Sequence, residues 1–365
     1  MSKLPDIINF VKKSVQELKP YHVENISCRV KLDAMESPYP LSEYLMKKVI
    51  EGIGRIKINR YPDPQASRLK SIISSQTGIS ADSIIIGNGS DELIQMILTV
   101  FGEEGDKVLF PAPTFSMYGI IAKSLSLKTE VVPLSEDWEL SLDKFLHEIE
   151  RIKPKVIFIS YPNNPTGNCF DKKSILKILQ KAKGIVVIDE AYNDFSKKTF
   201  LSYLKEFKNL IILRTLSKIG MAGLRVGYLM ADKEICRELN KVRLPYNSNS
   251  VSQEIASIIL KNRAEIQKQI EDIMLERDRL TERLKEIKGI KPYPSETNFI
   301  LFKLVVSESN LTVRNGKDMF LRLANSGILV RNFGSDSYLK DCLRVTVGTH
   351  EENNEFLDVI QKSMV

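Results

Sequence analysis

Short apolar runs recur along the first two thirds of the chain, each ending in a turn rich in Gly, Pro, Asn or Ser, with helical patterns between them. Ser83–Ile86, Lys107–Phe110, Lys155–Ser160, Gly184–Ile188 and Leu210–Leu213 read as strands. They are continuously apolar rather than alternating, so they predict strands covered on both faces. Leu93, Ile94, Ile97, Leu98 and Phe101 follow helical spacing after the first of them, and Asp171 to Ala182 reads as a helix after the third. This alternation, from about 83 to 230, predicts an α/β fold with a large, mostly parallel domain. From Ser252 to about Ile287 the pattern predicts one long charged amphipathic helix bridging two domains. Strands near Asn298–Leu304, Gly327–Val330 and Leu343–Val347, with helices near Lys317–Asn325 and Glu352–Lys362, predict a smaller α+β unit. At the other end, Ile7, Ile8, Val11, Val15 and Leu18 stand among charged residues, which predicts an amphipathic helix over 4–19 rather than a signal peptide. The expected division is an N-terminal segment, 1–50, packing with the small domain, a large domain, 51–255, and a small domain, 256–365.

Composition narrows the function. A chain of 365 residues that is 43% hydrophobic can bury the cores of two domains and is not disordered. The net charge of +7 suits an anionic ligand, but the lysines are dispersed among Glu and Asp, so no nucleic-acid partner is expected. Cys28, Cys169, Cys236 and Cys342 lie far apart and the three histidines show no ligand spacing, which predicts neither disulfide framework nor metal site and fits a reducing, cytoplasmic setting. No apolar span has the length a membrane requires, and no internal repeat or low-complexity segment is present.

The candidate chemistry lies at the strand ends. After Leu210–Leu213 comes Arg214-Thr215-Leu216-Ser217-Lys218, with Arg225 seven positions later. Two hydroxyls, a lysine and an arginine on one loop would hold a phosphate beside an amine, as a lysine linked to pyridoxal phosphate requires. The plain alternative is a polar loop with a solvated lysine. Gly87-Asn88-Gly89-Ser90-Asp91-Glu92 joins a strand to a helix start, where backbone N–H groups favour an anion. Ser90 or Asp91 as a simple helix cap explains those residues nearly as well, and Asp91 is expected to turn toward backbone or water, since its charge would oppose an anion. Phe115 leaves its strand in Pro113-Thr114-Phe115, placed either to stack on a planar ring or to pack in the core. Asn163-Asn164-Pro165-Thr166-Gly167 is a locked turn that presents Asn164 as a fixed donor. Asp189-Glu190-Ala191-Tyr192 ends a buried strand, where open α/β sheets place their ligands. Arg331 and Arg344 lie at the ends of apolar strands, and each needs either an acidic partner or an anionic ligand. Tyr21, after Pro20, and Tyr61, in Arg60-Tyr61-Pro62-Asp63, lie in proline-punctuated loops.

Asn164-Pro165-Thr166-Gly167, Asp189-Glu190-Ala191-Tyr192, Ser217-Lys218 and Arg225, in that order, resemble the fold-type I pyridoxal-phosphate-dependent aminotransferases of class II, over almost the whole chain. The resemblance implies a seven-stranded, mostly parallel sheet flanked by helices, plus a smaller α+β domain. It implies pyridoxal 5'-phosphate as cofactor, linked to Lys218, which would also shuttle a proton. Asp189 would pair with the ring nitrogen, Tyr192 and Asn164 would contact the ring oxygen, and Phe115 would stack on the ring. Gly89, Ser90, Asp91, Thr215, Ser217 and Arg225 would surround the phosphate, and Tyr61 would reach the phosphate of the neighbouring subunit of a homodimer. Pro20-Tyr21, Arg60-Tyr61-Pro62-Asp63, Gly327-Ile328-Leu329-Val330-Arg331 and Cys342-Leu343-Arg344-Val345-Thr346-Val347-Gly348 read like the branch that serves histidine biosynthesis. That branch moves an amino group from glutamate to imidazole acetol phosphate, giving histidinol phosphate and 2-oxoglutarate, with Arg331, Arg344 and Tyr21 as candidate substrate contacts. An aromatic aminotransferase or a threonine-phosphate decarboxylase on the same scaffold is the alternative. The segment Met35-Glu36-Ser37-Pro38 departs from the branch's pattern, and Glu36 and Ser37 take no expected role.

Overall fold

In the computed structural model, residues 7–20, 26–305, 313–334 and 336–364 are described. The first strand, β1 (Val30–Leu32), is followed by β2 (Ile84–Gly87), β3 (Lys107–Ala112), β4 (Lys128–Pro133), β5 (Val156–Ser160), β6 (Ile185–Asp189), β7 (Leu210–Thr215) and β8 (Gly227–Ala231). Strands β2 to β8 form a seven-stranded sheet in the order β2-β8-β7-β6-β5-β3-β4. Only β8 runs against its neighbours; the other pairings are parallel.

The continuous apolar runs have a direct cause here. Ile157 and Ile159 of β5, Val186 and Ile188 of β6, and Leu210 and Ile212 of β7 point into one core layer. Val156 and Phe158, Val187, and Ile211 and Leu213 point into the layer on the opposite face. Period-two alternation still holds, but both faces are dry, so both sets of side chains are apolar.

The remaining strands are β9 (Ile290–Pro292), β10 (Phe299–Leu304), β11 (Ile328–Asn332) and β12 (Cys342–Thr346). With β1 they form a second sheet, ordered β1-β11-β12-β10-β9, packed on its own core around Phe302, Leu343 and Phe356. The expected single helix from Ser252 to Ile287 is two, Ser250–Lys261 and Arg263–Lys285. Asn262, at φ −111° and ψ 40°, breaks it, and its side-chain amide donates to the Ile258 carbonyl at 2.7 Å. The apolar stripe continues across the break, so periodicity alone does not reveal it. Ala256, Ile259, Ile266, Ile270 and Ile273 pack in the large core, and Leu280 and Leu284 in the small one. The change of core therefore falls within the second helix, and position 255/256 lies inside the first.

The N-terminal segment divides between the two lobes. Val30 to Leu32 pairs in parallel with Ile328 to Val330 of the small sheet, while Leu45, on helix Glu43–Ile53, is buried in the large core. The helix expected over 4–19 is, among the described residues, a short turn at Ile7–Phe10 and a single helical turn at Lys13–Gln16. Ile7 and Phe10 are 78% and 74% exposed. Apolar residues left so exposed provide little to stabilise a longer helix. No helix among the described residues is long and apolar enough to cross a membrane.

One buried ion pair braces the sheet edge nearest the site. Glu190, fully buried just past β6, accepts from Arg214 Nε and Nη2 of β7 at 3.0 and 2.8 Å, and from the Phe200 N–H at 2.6 Å. Glu190 thus faces away from the candidate ligand edge although its sequence neighbour Asp189 faces it. Arg214→Met would leave Glu190 without its counter-charge in the interior. Urea unfolding should show a loss of roughly 3–5 kcal/mol, and a loss of about 1 kcal/mol or less, as for an exposed pair, would contradict this role.

Candidate functional site

The carboxyl ends of β5, β6 and β7 open on one pocket, and the antiparallel β8 begins at the same edge, so that Arg225 enters it from the opposite chain direction. This is the edge where parallel sheets leave helix starts and loop backbone available to a ligand. Ser90, Asp91, Phe115, Asn164, Asp189 and Tyr192 line the pocket together with Thr215, Ser217, Lys218 and Arg225.

One wall is a cup of backbone and small polar groups. Gly89 lies at φ 87° and precedes helix Ser90–Phe101, whose start carries no side-chain cap. The capping alternative for Ser90 and Asp91 is therefore not what forms. A Cβ on Gly89 would sit 2.6 Å from Arg225 Nη2, and one on Gly227 would sit 2.6 Å from Gly89 C and Ser90 N. Gly227 is crowded by backbone that cannot give way, and Gly89 has a positive φ that favours glycine. Across the cup, Thr215 Oγ1 donates to Ser217 Oγ at 2.9 Å. Arg225, at φ 52°, reaches Asp91 with Nη2 3.5 Å from Oδ2. The expectation that Asp91 turns to backbone or water is corrected here: the nearest cation is inside the cup, and the carboxylate faces it.

The floor is Asp189, at the end of β6 and buried. Its Oδ2 accepts from the Tyr118 hydroxyl at 2.6 Å and its Oδ1 from the Ala191 N–H at 3.1 Å. Burial pushes its carboxyl up to about 6, with the anions Asp91 and Glu190 adding to the shift and the two hydrogen bonds opposing it. Beside it Asn164 Nδ2 donates to the Tyr192 hydroxyl at 3.2 Å. The Tyr192 phenol is itself pushed up by burial.

Lys218 closes the pocket. Its Nζ lies 3.4 Å from the Ala34 carbonyl and 5.9 Å from the centre of the Tyr192 ring. Burial, with the nearby Arg344 guanidinium next, brings its amine down to about 8. Arg344, buried in β12, reaches across from the small sheet, donating through Nη1 to Asn164 Oδ1 and through Nη2 to the Asp33 carbonyl at 2.9 Å. Its guanidinium lies 5.2 Å from the centre of the Phe299 ring.

The other expected residues fall differently. Arg331 is directly opposite Arg344 in the antiparallel pairing of β11 and β12, so both leave the same face of the small sheet, but Arg331 does not line the pocket around Lys218. Tyr61 is 80% exposed, stacked on Tyr246 at 4.4 Å, and does not line this pocket in its own chain. Tyr21 lies outside the described residues. Glu36 pairs with Lys31 at 2.6 Å.

Two contributors were not visible as such in the sequence. The segment 33–35 crosses the pocket: Asp33 and Ala34 present carbonyls to Arg344 and Lys218, and Met35, at φ 54°, lines the wall. Backbone acceptors carry no side-chain signature. Tyr118 carries one, since it stands three positions after Phe115 and touches it edge-on, with ring centres 5.5 Å apart.

The donor set fits pyridoxal phosphate: a glycine and hydroxyl cup with an arginine for its phosphate, a buried carboxylate for a protonated ring nitrogen, and paired Asn164 and Tyr192 for its phenolic oxygen. Lys218 supplies an amine of lowered basicity, and Phe115 an aromatic wall.

Comparison with known proteins places these observations in a family. The profile of the family described as aminotransferase class I and II matches residues 30–360. The chain is similar to a histidinol-phosphate aminotransferase of Caldanaerobacter subterraneus subsp. tengcongensis, 41% identical over 98% of this chain and 99% of that protein. Among solved structures it is similar to the histidinol-phosphate aminotransferase of Clostridium acetobutylicum, with TM-score 0.81 and 25% identity over 91% of this chain and 98% of that one. It also shares its fold with the Sinorhizobium meliloti histidinol-phosphate aminotransferase solved in complex with pyridoxal-5'-phosphate, at TM-score 0.84 and 20% identity, over 100% of this chain and 98% of that one.

The carboxyl of Asp189 gives a signed pH dependence. Its value rises from 3.8 to about 6 on folding, so the folded state binds the proton more tightly than the unfolded chain between those values. The cofactor-free protein should therefore lose stability relative to Asp189→Asn as pH rises from about 4 to about 6, by up to about 3 kcal/mol, and the difference should be flat above that. Melting temperatures of the two proteins across this range check it, and a parent protein that instead gained stability relative to Asp189→Asn as pH rose would refute the burial effect.

Proposed function

Because the chain belongs to the class I and II aminotransferase family, we propose that it moves an amino group between glutamate and imidazole acetol phosphate, giving histidinol phosphate and 2-oxoglutarate. The reading draws on the full-length similarity to histidinol-phosphate aminotransferases and on one observation above all: Lys218 and Asp189 line a single pocket, and Arg344 borders it through its hydrogen bond to the lining residue Asn164. Pyridoxal phosphate supplies, when bound, an aldehyde that takes up the amino group and a ring that accepts the electron pair left at the substrate carbon.

The chain's own groups do the rest. Thr215, Ser217, Arg225 and the N–H groups at the start of helix Ser90–Phe101 hold a phosphate. Asp189 would pair with a protonated ring nitrogen, and Asn164 with Tyr192 would hold the phenolic oxygen. Lys218 Nζ, with its basicity brought near 8, is available both to take a proton from the substrate carbon and to return one. Arg344 holds the carboxylate of glutamate in a bidentate fork. Arg331 stands directly opposite it, and two guanidiniums so placed repel unless an anion lies between or beside them. That arrangement suits the phosphate of histidinol phosphate in the other half-reaction, with Tyr21 as a further contact.

The active form in this reading is a homodimer. Tyr61 and Ile58 are 80% and 87% exposed on one loop, available to a second subunit whose phosphate cup Tyr61 would complete. Four free cysteines support a cytoplasmic setting.

Two measurements test this. The absorbance of cofactor-loaded protein should change on adding glutamate and, separately, histidinol phosphate, and Lys218→Ala should slow both by about a hundred to ten thousandfold or more. A response to glutamate without one to histidinol phosphate would keep the transaminase and remove the proposed substrate. For the dimer, Tyr61→Ala and Lys218→Ala chains are dissociated together and reassembled. Mixed dimers carry both changes in one site and none in the other, so activity should return to about a quarter of the parent level. No recovery would place Tyr61 in its own subunit's site or outside the chemistry.

A further inference from the structure

Asp189 must carry a negative charge to partner a protonated ring, yet its surroundings oppose ionisation. It is buried, and Asp91 and Glu190 are nearby anions. Tyr192, Lys218 and Arg225 are the other ionisable groups lining the pocket. Among the described residues the Tyr118 hydroxyl, 2.6 Å from Oδ2, is the side-chain donor to this carboxylate, and the Ala191 N–H serves Oδ1. Each oxygen keeps a lone pair for a ligand.

The ring that carries this hydroxyl is firmly held. Tyr118 is fully buried in helix Met117–Ser124, its ring stacked on Phe158 of β5 with centres 4.5 Å apart and planes at 9°. Phe110 of β3 lies against it at 6.1 Å, and Phe115 meets it edge-on at 5.5 Å. One side chain therefore touches both the carboxylate below the ligand and the aromatic placed to lie against it. Its own phenol is pushed well above the ordinary tyrosine value by burial and by Asp189, so it acts as a donor and not as a proton source.

We propose that Tyr118 is a positioning residue of this site, holding Asp189 ionised and aimed into the pocket and bracing Phe115 against the ligand plane. The proposal rests on the transaminase reading only for the identity of the group that Asp189 serves.

The test removes the hydroxyl by Tyr118→Phe and leaves the ring on Phe158. In cofactor-free protein, melting temperatures are followed from about pH 4 to about pH 9 for the parent and Tyr118→Phe, each with and without Asp189→Asn. The pH at which the Asp189-dependent loss of stability levels off should move up by about one to two units without the hydroxyl. In the cofactor-loaded enzyme the acid limb of kcat should move the same way while KM for glutamate stays unchanged. Incorporating a fluorotyrosine at 118, a stronger donor, should move both features down, and it decides the matter if Tyr118→Phe does not fold. A Tyr118→Phe difference that is the same at every pH, or one confined to KM, would overturn the proposal. Absence of any amino transfer by the parent would instead refute the assigned function, and the cofactor-free titration would still decide the role of Tyr118.

Discussion

Desolvation of charge at the open edge of the large sheet is the constraint around which the molecule is arranged. Asp189 and Lys218 are both driven toward their neutral forms by burial, the acid upward and the amine downward. Two groups whose basicities are brought closer together across one pocket can be matched to a ligand that is cationic at one end and proton-accepting at the other. The cost falls on stability, and the fold offsets it locally: two donors on Asp189, a compensated Glu190–Arg214 pair just outside the pocket, and dry sheet faces below.

The same constraint explains what the sequence revealed. Unbroken apolar runs at β5, β6 and β7 read as strands covered on both faces, and polar residues at and after their carboxyl ends are therefore candidates for the ligand edge, although Glu190 and Arg214 among them turn away to pair with each other. Asp189, Asn164, Thr215, Ser217 and Lys218 were legible for that reason. The direction of β8 was not, since an apolar run reads the same for either orientation. The division of the long helix at Asn262 was hidden because the buried stripe runs through it. The orientation of Asp91 was not legible, because its partner Arg225 arrives from just before a strand far along the chain. Tyr118 went unread because its partner, Asp189, lies 71 residues away. Tyr61 and the exposed Ile7 and Phe10 share a different difficulty, for their exposure among the described residues does not say what they serve.

Why the small lobe is needed follows from Arg344. The large sheet supplies a cup, a floor and an amine, but the group that would hold a carboxylate over them belongs to β12 of the other sheet. Arg344 is tied through Asn164 Oδ1 to the large lobe, and Asn164 Nδ2 continues to the Tyr192 hydroxyl. One chain of hydrogen bonds therefore joins the candidate substrate anchor to the residues placed around the ring oxygen. A ligand carboxylate that takes over the Arg344 fork must compete with Asn164 for it, and any such exchange alters the donor that faces Tyr192. If Arg344 serves as the proposed carboxylate anchor, binding at the small lobe would be coupled to the polarity of the pocket on the large lobe through the side chains of Arg344, Asn164 and Tyr192.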